Sequence, residues 1–203
     1  MASNPRTHQA KRALAHWSRI LHTYLSMVSF SILLFFAATG LTLNHQGALI
    51  GAPKTSRLTG TLPAALVSSA DPNLARDRIV SALRSAHHIN ADLSDFRADE
   101  DQVSASFKGP GYEADAFIDR KTGAYEMNES RFGTVAIIND LHKGRDTGKA
   151  WSTVIDVSAA VMVLVSLTGL VLIFFIHKRL TVGLLLLSLG TLACGAVYLF
   201  LVS

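Results

Sequence analysis

Four of the eight histidines stand at the edges of long apolar runs, where a histidine can be a plain interfacial residue or a metal ligand. His22 precedes and His45 follows an uncharged run of nineteen residues, 25–43. His142 lies before a second apolar run, which His177 ends. A neutral imidazole binds iron through a ring nitrogen, and it is costly to place beside lipid without a partner. These four histidines are therefore the candidate ligands of a redox centre.

The apolar runs are long enough to cross a bilayer. At ~1.5 Å per residue the first run covers about 28 Å, close to the ~30 Å hydrocarbon core of a membrane. The second run, 157–176, has twenty uncharged residues, and the third, 180–203, has twenty-four. We therefore predict transmembrane helices over 17–43 and 151–177, and a short hinge with a third helix over 178–203.

The composition agrees with a membrane protein and argues against a nucleic-acid-binding one. Hydrophobic residues make up 49% of the chain, and the mean hydropathy is +0.31. The net charge is only +4. The one long polar segment, 44–150, carries thirteen Lys and Arg against fourteen Asp and Glu, so it has no concentrated basic surface for a nucleic acid.

Cysteine usage and the length of the first run exclude several other classes. The single cysteine, Cys194, excludes an intramolecular disulfide, a covalent haem of the CxxCH type, a cysteine-ligated iron–sulfur cluster and a zinc ribbon. The first run is longer than the apolar region of a signal peptide, and no small-x-small cleavage motif follows it at a suitable distance. It is therefore interpreted as an uncleaved anchor.

The basic residues predict the orientation. The tail, 1–16, with Arg19 and the hinge at 177–179 carry six Lys or Arg and no acidic residue. By the positive-inside rule these parts face the cytoplasm, which places residues 44–150 and the C-terminus on the periplasmic side of a bacterial inner membrane.

The segment 44–150 has the pattern of an α+β domain inserted between the first two spans. Residues 51–72 are predicted to form a loop, with Pro53, Gly60, Pro63 and Pro72 as breakers. Apolar residues at helical spacing predict a helix over 73–87. Strict alternation over 101–108, 112–119 and 124–130 predicts short strands joined by glycine-containing turns. One helix on an antiparallel sheet of three or four strands would bury both apolar faces.

On this topology the four histidines form two pairs at matching depths. His22 and His177 lie on the cytoplasmic side, and His45 and His142 lie on the outer side. Two imidazoles from neighbouring helices can supply both axial ligands of a b-type haem, so one or two haems are predicted. Arg145 is a candidate partner for a haem propionate.

The spacing of the pairs limits what two haems alone could do. His22 and His45 are separated by ~34 Å on a continuous helix. Electron transfer over that whole distance would be slow. Three explanations stay open: haems that extend inward from their ligands, a single filled site, or a bridging quinone or partner subunit.

The predicted helix, the alternating strands and the hairpin at 119–123 resemble a PepSY domain. The segments 17–30, 39–45 and 132–159 are similar to the PepSY-associated transmembrane family. The resemblance covers nearly the whole chain after residue 16. It implies a haem-containing inner-membrane reductase that passes electrons to a ferric siderophore or another periplasmic redox partner. A homodimer or a larger complex would help a three-helix bundle to enclose a haem.

Two further interpretations come from the same residues. Residues 122–125 nearly match a flavin-attachment motif, but Tyr125 stands where threonine or serine is needed, which argues against a covalent flavin. The alternative function is non-enzymatic, with a PepSY domain that binds or assembles a partner and helices that only anchor it in lipid.

Overall fold

The computed structural model describes residues 5–67, 72–176 and 179–202. Two compact units divide it. One contains Phe35–Ile155, and the other contains Met1–Leu34 together with Asp156–Ser203. Each unit is described separately below.

A long helix comes first in the chain, a domain of helices and strands follows it, and two long helices come last. They are α1 Pro5–Asn44, α2 Gln46–Leu49, β1 Lys54–Thr61, α3 Ala64–Val67, α4 Pro72–His87, β2 Asp92–Ala98, β3 Gln102–Gly109, β4 Tyr112–Asp119, β5 Ala124–Arg131, α5 Thr134–Lys143, α6 Gly148–Ile173 and α7 Leu180–Val197, which continues as a π-helical turn over Tyr198–Val202.

Three of these helices are long and apolar enough to cross a membrane. They are Gln9–Asn44, Gly148–Ile173 and Leu180–Val202. Their outward side chains are mostly large and hydrophobic, and α7 has no buried residue. Such a surface is unstable in water and suits lipid.

In the unit that holds Asp156–Ser203, α1 and α6 each have their less exposed positions at alternating spacings of four and three. On α1 these are Ser18, His22, Leu25, Ser29 and Ile32, and on α6 they are Ser158, Met162, Val165, Gly169 and Leu172. A repeat averaging 3.5 residues is the pattern of two helices packed side by side. Serine and glycine at these positions allow the close approach that helix pairing in lipid requires.

The other unit is built on a five-stranded antiparallel sheet in the order β1-β5-β4-β3-β2. The alternation seen in the sequence places one face of the sheet in the core. The cross-strand row Ala105, Ala116 and Met127 lies at its centre, and all three side chains are buried.

Helix α4 covers that face of the sheet. Ala75, Ile79 and Leu83 recur every fourth residue, so they share one side of the helix, and all are buried. They pack with Phe107 and Ile118 in one continuous core. The predicted helix over 73–87 and the three predicted strands are therefore confirmed.

Two strands depart from the sequence prediction. Residues 54–61 form an edge strand where a loop was predicted, and β2 brings the sheet to five strands instead of three or four. β1 is mostly exposed and is held by backbone pairing with β5, so it lacks an apolar alternation. In β2 a bulge between Leu93 and Asp95 shifts the register, which brings Leu93 and Phe96 to the core at a spacing that no regular strand has.

Helix α5 was not predicted as an element, and it carries His142. Gly144 ends it in the left-handed region with φ 68°, and its N–H donates to Asp140 O at 2.9 Å. Asp140 Oδ2 in turn accepts from the backbone N–H of Gly111 at 2.9 Å, and Trp151 Nε1 donates to Leu141 O at 2.8 Å. These bonds tie α5 to the β3–β4 turn and to the start of α6.

Candidate cofactor-binding histidines

His142 is held by the C-terminal end of α1. Its Nδ1 lies 2.7 Å from Thr39 Oγ1, and that hydroxyl also lies 2.7 Å from Phe35 O. A carbonyl can only accept, so the threonine hydroxyl donates to Phe35 and accepts from His142. Nδ1 therefore carries the imidazole hydrogen, which leaves Nε2 with its lone pair.

The surroundings of His142 are tight on one side and aromatic on another. Its Cε1 would lie only 3.3 Å from a Cβ built on Gly40, so a side chain at that position would press on the ring. Phe36 meets the ring edge-on at 5.3 Å between centroids. Thr39 itself is buried. The imidazole is thus fixed by a hydrogen bond, a glycine and an aromatic ring.

His22, which belongs to α1, has a similar environment formed by α6 in the other unit. Its Nδ1 lies 3.2 Å from Val165 O and 3.1 Å from Thr168 Oγ1. Since Thr168 donates its own hydrogen to Val165 O at 2.9 Å, Nδ1 must again be the donor. The ring also lies against a glycine, because its Cε1 would be 3.0 Å from a Cβ on Gly169.

The tripeptide Thr-Gly-Leu therefore contacts a histidine at two places in the chain. They occur at 39–41 on α1 and at 168–170 on α6. In each case the threonine accepts from Nδ1 and the glycine makes room for the ring. The repeat of this tripeptide is the signal in the sequence that could have identified both contacts.

His45 stands at the end of α1 and is exposed. Its Nδ1 lies 3.0 Å from Leu41 O, one turn earlier, so it too donates from Nδ1 and keeps the Nε2 lone pair. Among the described residues, no hydrogen bond or ring contact joins His45 to His142. His177 lies outside the described residues. Both predicted histidine pairings stay predictions.

Arg145 follows α5 and is exposed. It lines a cleft of about 300 Å³ between α2, the β3–β4 hairpin and α5. We call this the Asn139 cleft, after the buried residue on its floor; its lining includes Gln46, Lys108, Tyr112, Asn139, Lys143 and Arg145. Asn139 is a functional candidate that the sequence analysis did not identify.

A family profile described as PepSY_TM-like matches residues 16–203. The chain belongs to the PepSY_TM-like family. The matched residues include both Thr-Gly-Leu tripeptides and every candidate histidine. The match agrees with the resemblance predicted from the sequence. No curated protein and no solved structure gives a significant match to this PepSY_TM-like protein.

The tautomers of the three described histidines of this PepSY_TM-like protein are compatible with iron binding through Nε2. His22, His45 and His142 each direct the Nδ1 hydrogen to a protein acceptor, and a neutral imidazole held in that way presents Nε2 to iron. Among the described residues no group of three or more His, Cys, Asp or Glu could hold a bare metal ion.

A second group of titratable residues lies in the sheet, apart from these histidines. Arg131 contacts Glu129 at 2.7 Å, and this bond lowers the pKa of the nearly buried Glu129 carboxyl. Burial, followed by a hydrogen bond to Glu129, raises the pKa of Tyr112 to about 12. Both shifts favour a carboxylate and a neutral phenol at neutral pH, so the group stabilises the domain and has no acid–base role there.

Proposed function

We propose that this PepSY_TM-like protein is a b-type haem electron-transfer protein of the bacterial inner membrane. One observation carries the proposal: each described candidate ligand has its Nδ1 occupied by an acceptor and its Nε2 without a hydrogen-bond partner among the described residues. A neutral imidazole whose Nδ1 hydrogen is held in this way is the form that binds iron through Nε2.

The roles of the residues follow from these contacts. A b-type haem, when bound, supplies a one-electron couple. Thr39 and Thr168 hold the imidazoles of His142 and His22 in orientation, and the glycine after each threonine lets the ring lie close to the helix. The apolar faces of α1 and α6 exclude water. Arg145 would pair with a propionate.

The charge distribution supports an orientation in which electrons would pass from the cytoplasmic side to the periplasmic side. Basic residues in the tail and hinge favour a cytoplasmic N-terminus. The PepSY-like domain and His142 would then lie in the periplasm, where the domain would receive an acceptor such as a ferric siderophore or another redox partner. A homodimer or larger complex would complete the haem enclosure.

The test is absorption spectroscopy of the full chain purified in detergent. We expect a Soret band that sharpens on dithionite reduction. His142→Ala and His22→Ala should each reduce haem content by removing one site. His16→Ala is the matched control, because His16 is exposed on the same helix as His22 and has no hydrogen bond to another described residue. A wild-type chain that takes up no haem, or alanine variants with full haem content, would overturn the proposal.

A second function is favoured by one observation. The Nδ1 bonds of His22 and His142 already join helices, which is a structural use of histidine in lipid. The protein would then be a non-enzymatic anchored subunit whose PepSY-like domain binds a partner. A colourless protein with full helical content, in which the His142→Ala exchange lowers only thermal stability, is the expected result for that function.

A further inference from the structure

The contacts of His22 set the register between α1 and α6. Its ring lies against Val165, Thr168 and Gly169. The two helices are consecutive apolar spans that lead into and out of the same domain, so they run in opposite directions. A residue three positions before His22 is therefore level with one about three positions after Thr168, near residue 171. That residue of α1 is Arg19.

At this level the backbone of Arg19 is inside the apolar layer. The uncharged run of α6 continues for about five residues beyond residue 171, to residue 176, which is ~7.5 Å along a helix. Trp17 gives the same result independently, because tryptophan is enriched at the headgroup level and Trp17 lies two residues nearer to the N-terminus. Arg19 therefore starts on the apolar side of the membrane boundary.

The unit that contains Arg19 offers it no counter-charge. Its exposed side chain makes no ion pair and no hydrogen bond with the described residues. The sequence of this unit, Met1–Leu34 with Asp156–Ser203, has one acidic residue, Asp156. Asp156 precedes residue 171 of α6 by fifteen positions, or ~22 Å. An arginine at lipid depth is costly without an anion, so its partner comes from outside this unit.

We propose that Arg19 and Arg12 bind the phosphate of an anionic phospholipid, in the leaflet that meets the N-terminal end of α1. The two arginines are seven residues apart, so they lie on the same side of the helix. Helical side chains lean towards the N-terminus, which brings the guanidinium of Arg19 up to the headgroup level, while Arg12 starts outside the apolar layer. A phosphate between them accepts paired N–H bonds from both guanidinium groups.

The surface below the arginines suits the rest of a lipid molecule. Phe30 follows Arg19 by eleven residues, or about three turns, so it lies on the same side of α1, and it is 59% exposed. Met27, one turn earlier, is 65% exposed. One side of α1 therefore carries cationic groups at the boundary and open apolar side chains beneath them. This order matches a phospholipid with an anionic headgroup and does not match a soluble anion.

The test is native mass spectrometry of the full chain in detergent, titrated with phosphatidylglycerol or with phosphatidylcholine, whose choline neutralises its phosphate. One arginine beside an anionic headgroup contributes a factor of about five in affinity. We expect the wild type to bind phosphatidylglycerol at least about fivefold more tightly than phosphatidylcholine. Arg19→Gln should reduce that preference by about fivefold. Arg19→Lys keeps the charge but loses the planar fork, so its preference should be intermediate.

Two further variants separate a site from net charge and from misfolding. Lys149→Gln is the matched control, since it removes one exposed charge at the opposite end of α6, about thirty residues' length away from the headgroup site at ~1.5 Å per residue. It should leave the lipid preference within about twofold. Arg12→Gln changes an exposed residue outside the apolar layer, so it supplies the test if Arg19→Gln does not fold. It should weaken the preference by a factor similar to that of Arg19→Gln.

The proposal does not depend on haem, and each result decides it. Equal binding of the two lipids by the wild type, or an unchanged preference in Arg19→Gln and Arg12→Gln, would refute the phospholipid site. An equal loss in Lys149→Gln would refute it too, because net charge alone would then set the preference. If Arg19→Gln lowers haem content and leaves the lipid preference unchanged, the anion is a haem propionate, so the lipid site fails while the haem function stands.

Discussion

The contacts of His142 and His22 use the same Thr-Gly step but differ in how much they depend on the threonine. His142 has one acceptor for its Nδ1, the hydroxyl of Thr39 at 2.7 Å. His22 has two, the hydroxyl of Thr168 and the carbonyl of Val165. A backbone carbonyl cannot be removed by substitution, so the orientation of His22 is protected in a way that the orientation of His142 is not.

The two contacts also differ in what surrounds them. His142 lies beside an aromatic ring and near the polar Asn139 cleft, on a helix of ten residues. His22 lies within the forty-residue α1, on a seam of serines and aliphatic side chains. The same local motif therefore occurs beside a polar cleft and on a helix seam of serines and aliphatic side chains.

Removing the threonine hydroxyls is the strongest test of the difference between the two histidine contacts. Thr39→Val leaves Nδ1 of His142 without an acceptor, and loss of such an outer-shell bond lowers metal affinity by about ten- to hundredfold. Thr168→Val leaves the Val165 carbonyl, so haem affinity at His22 should fall by less than about threefold. Haem titration of both variants measures the difference.

Thr39→Ser is the rescue control, because it restores the hydroxyl and should recover most of the affinity. Equal losses in Thr39→Val and Thr168→Val would show that the carbonyl of Val165 does not act as a second acceptor. Full affinity in Thr39→Val would show that the hydroxyl does not orient His142 for iron.

Substitution of the glycines should affect the His22 contact more than the His142 contact, which is the reverse of the order for the threonines. A Cβ at Gly169 would lie 3.0 Å from His22 Cε1, but a Cβ at Gly40 would lie 3.3 Å from His142 Cε1. Overpacking is destabilising, so Gly169→Ala should lower the unfolding temperature more than Gly40→Ala does. Thermal unfolding in detergent, with Gly190→Ala as a control that meets no neighbour, gives the comparison. If Gly40→Ala is the more destabilising of the two, the close ring contact at Gly169 is not important for stability.

Disrupting the Glu129–Arg131 pair should leave both histidine contacts unchanged. Its effect on haem binding should therefore be the smallest of those predicted. Glu129→Gln should lower the stability of the PepSY-like domain by about 1–2 kcal/mol, since a bond to a charged group is lost at a nearly buried position. Because folding lowers the pKa of Glu129 below its ordinary 4.5, its stabilisation is complete above about pH 4.5 and is lost as the pH falls through the lowered value.

Chemical denaturation of wild type and Glu129→Gln at pH 7 and pH 3 checks this prediction. The two curves should differ at pH 7 and converge at pH 3. Curves that differ equally at both values would mean that the carboxylate charge is not the cause. A change in the haem spectrum at pH 7 would show that the domain and the histidine sites are coupled more closely than the contacts indicate.

Much of the fold could be predicted from the sequence because it depends on local periodicity. Ile79 and Leu83 share one helical face, and Phe107 alternates with polar neighbours, so α4 and β3 were evident. β1 was missed because an edge strand held by backbone pairing needs no apolar pattern. β2 was missed because its bulge breaks the alternation between Leu93 and Phe96.

The candidate site was predictable in its residue types and less so in its partners. Apolar runs beside His22 and His142 identified them, since their position depends on the sequence alone. Their acceptors, Thr168 and Thr39, are more than a hundred positions away along the chain, and only packing brings them together. Asn139 gave no signal, because its burial beside Thr42 depends on packing and not on its neighbours in sequence.

The most direct measurement is the ratio of haem to protein in the purified wild-type chain, combined with low-temperature electron paramagnetic resonance of the oxidised form. We predict at least about one b-type haem per chain, with the low-spin ferric signal that two imidazole ligands give. A fully helical protein that contains no haem after expression with excess haem would contradict the assignment of Nε2 of His142 and His22 as iron ligands.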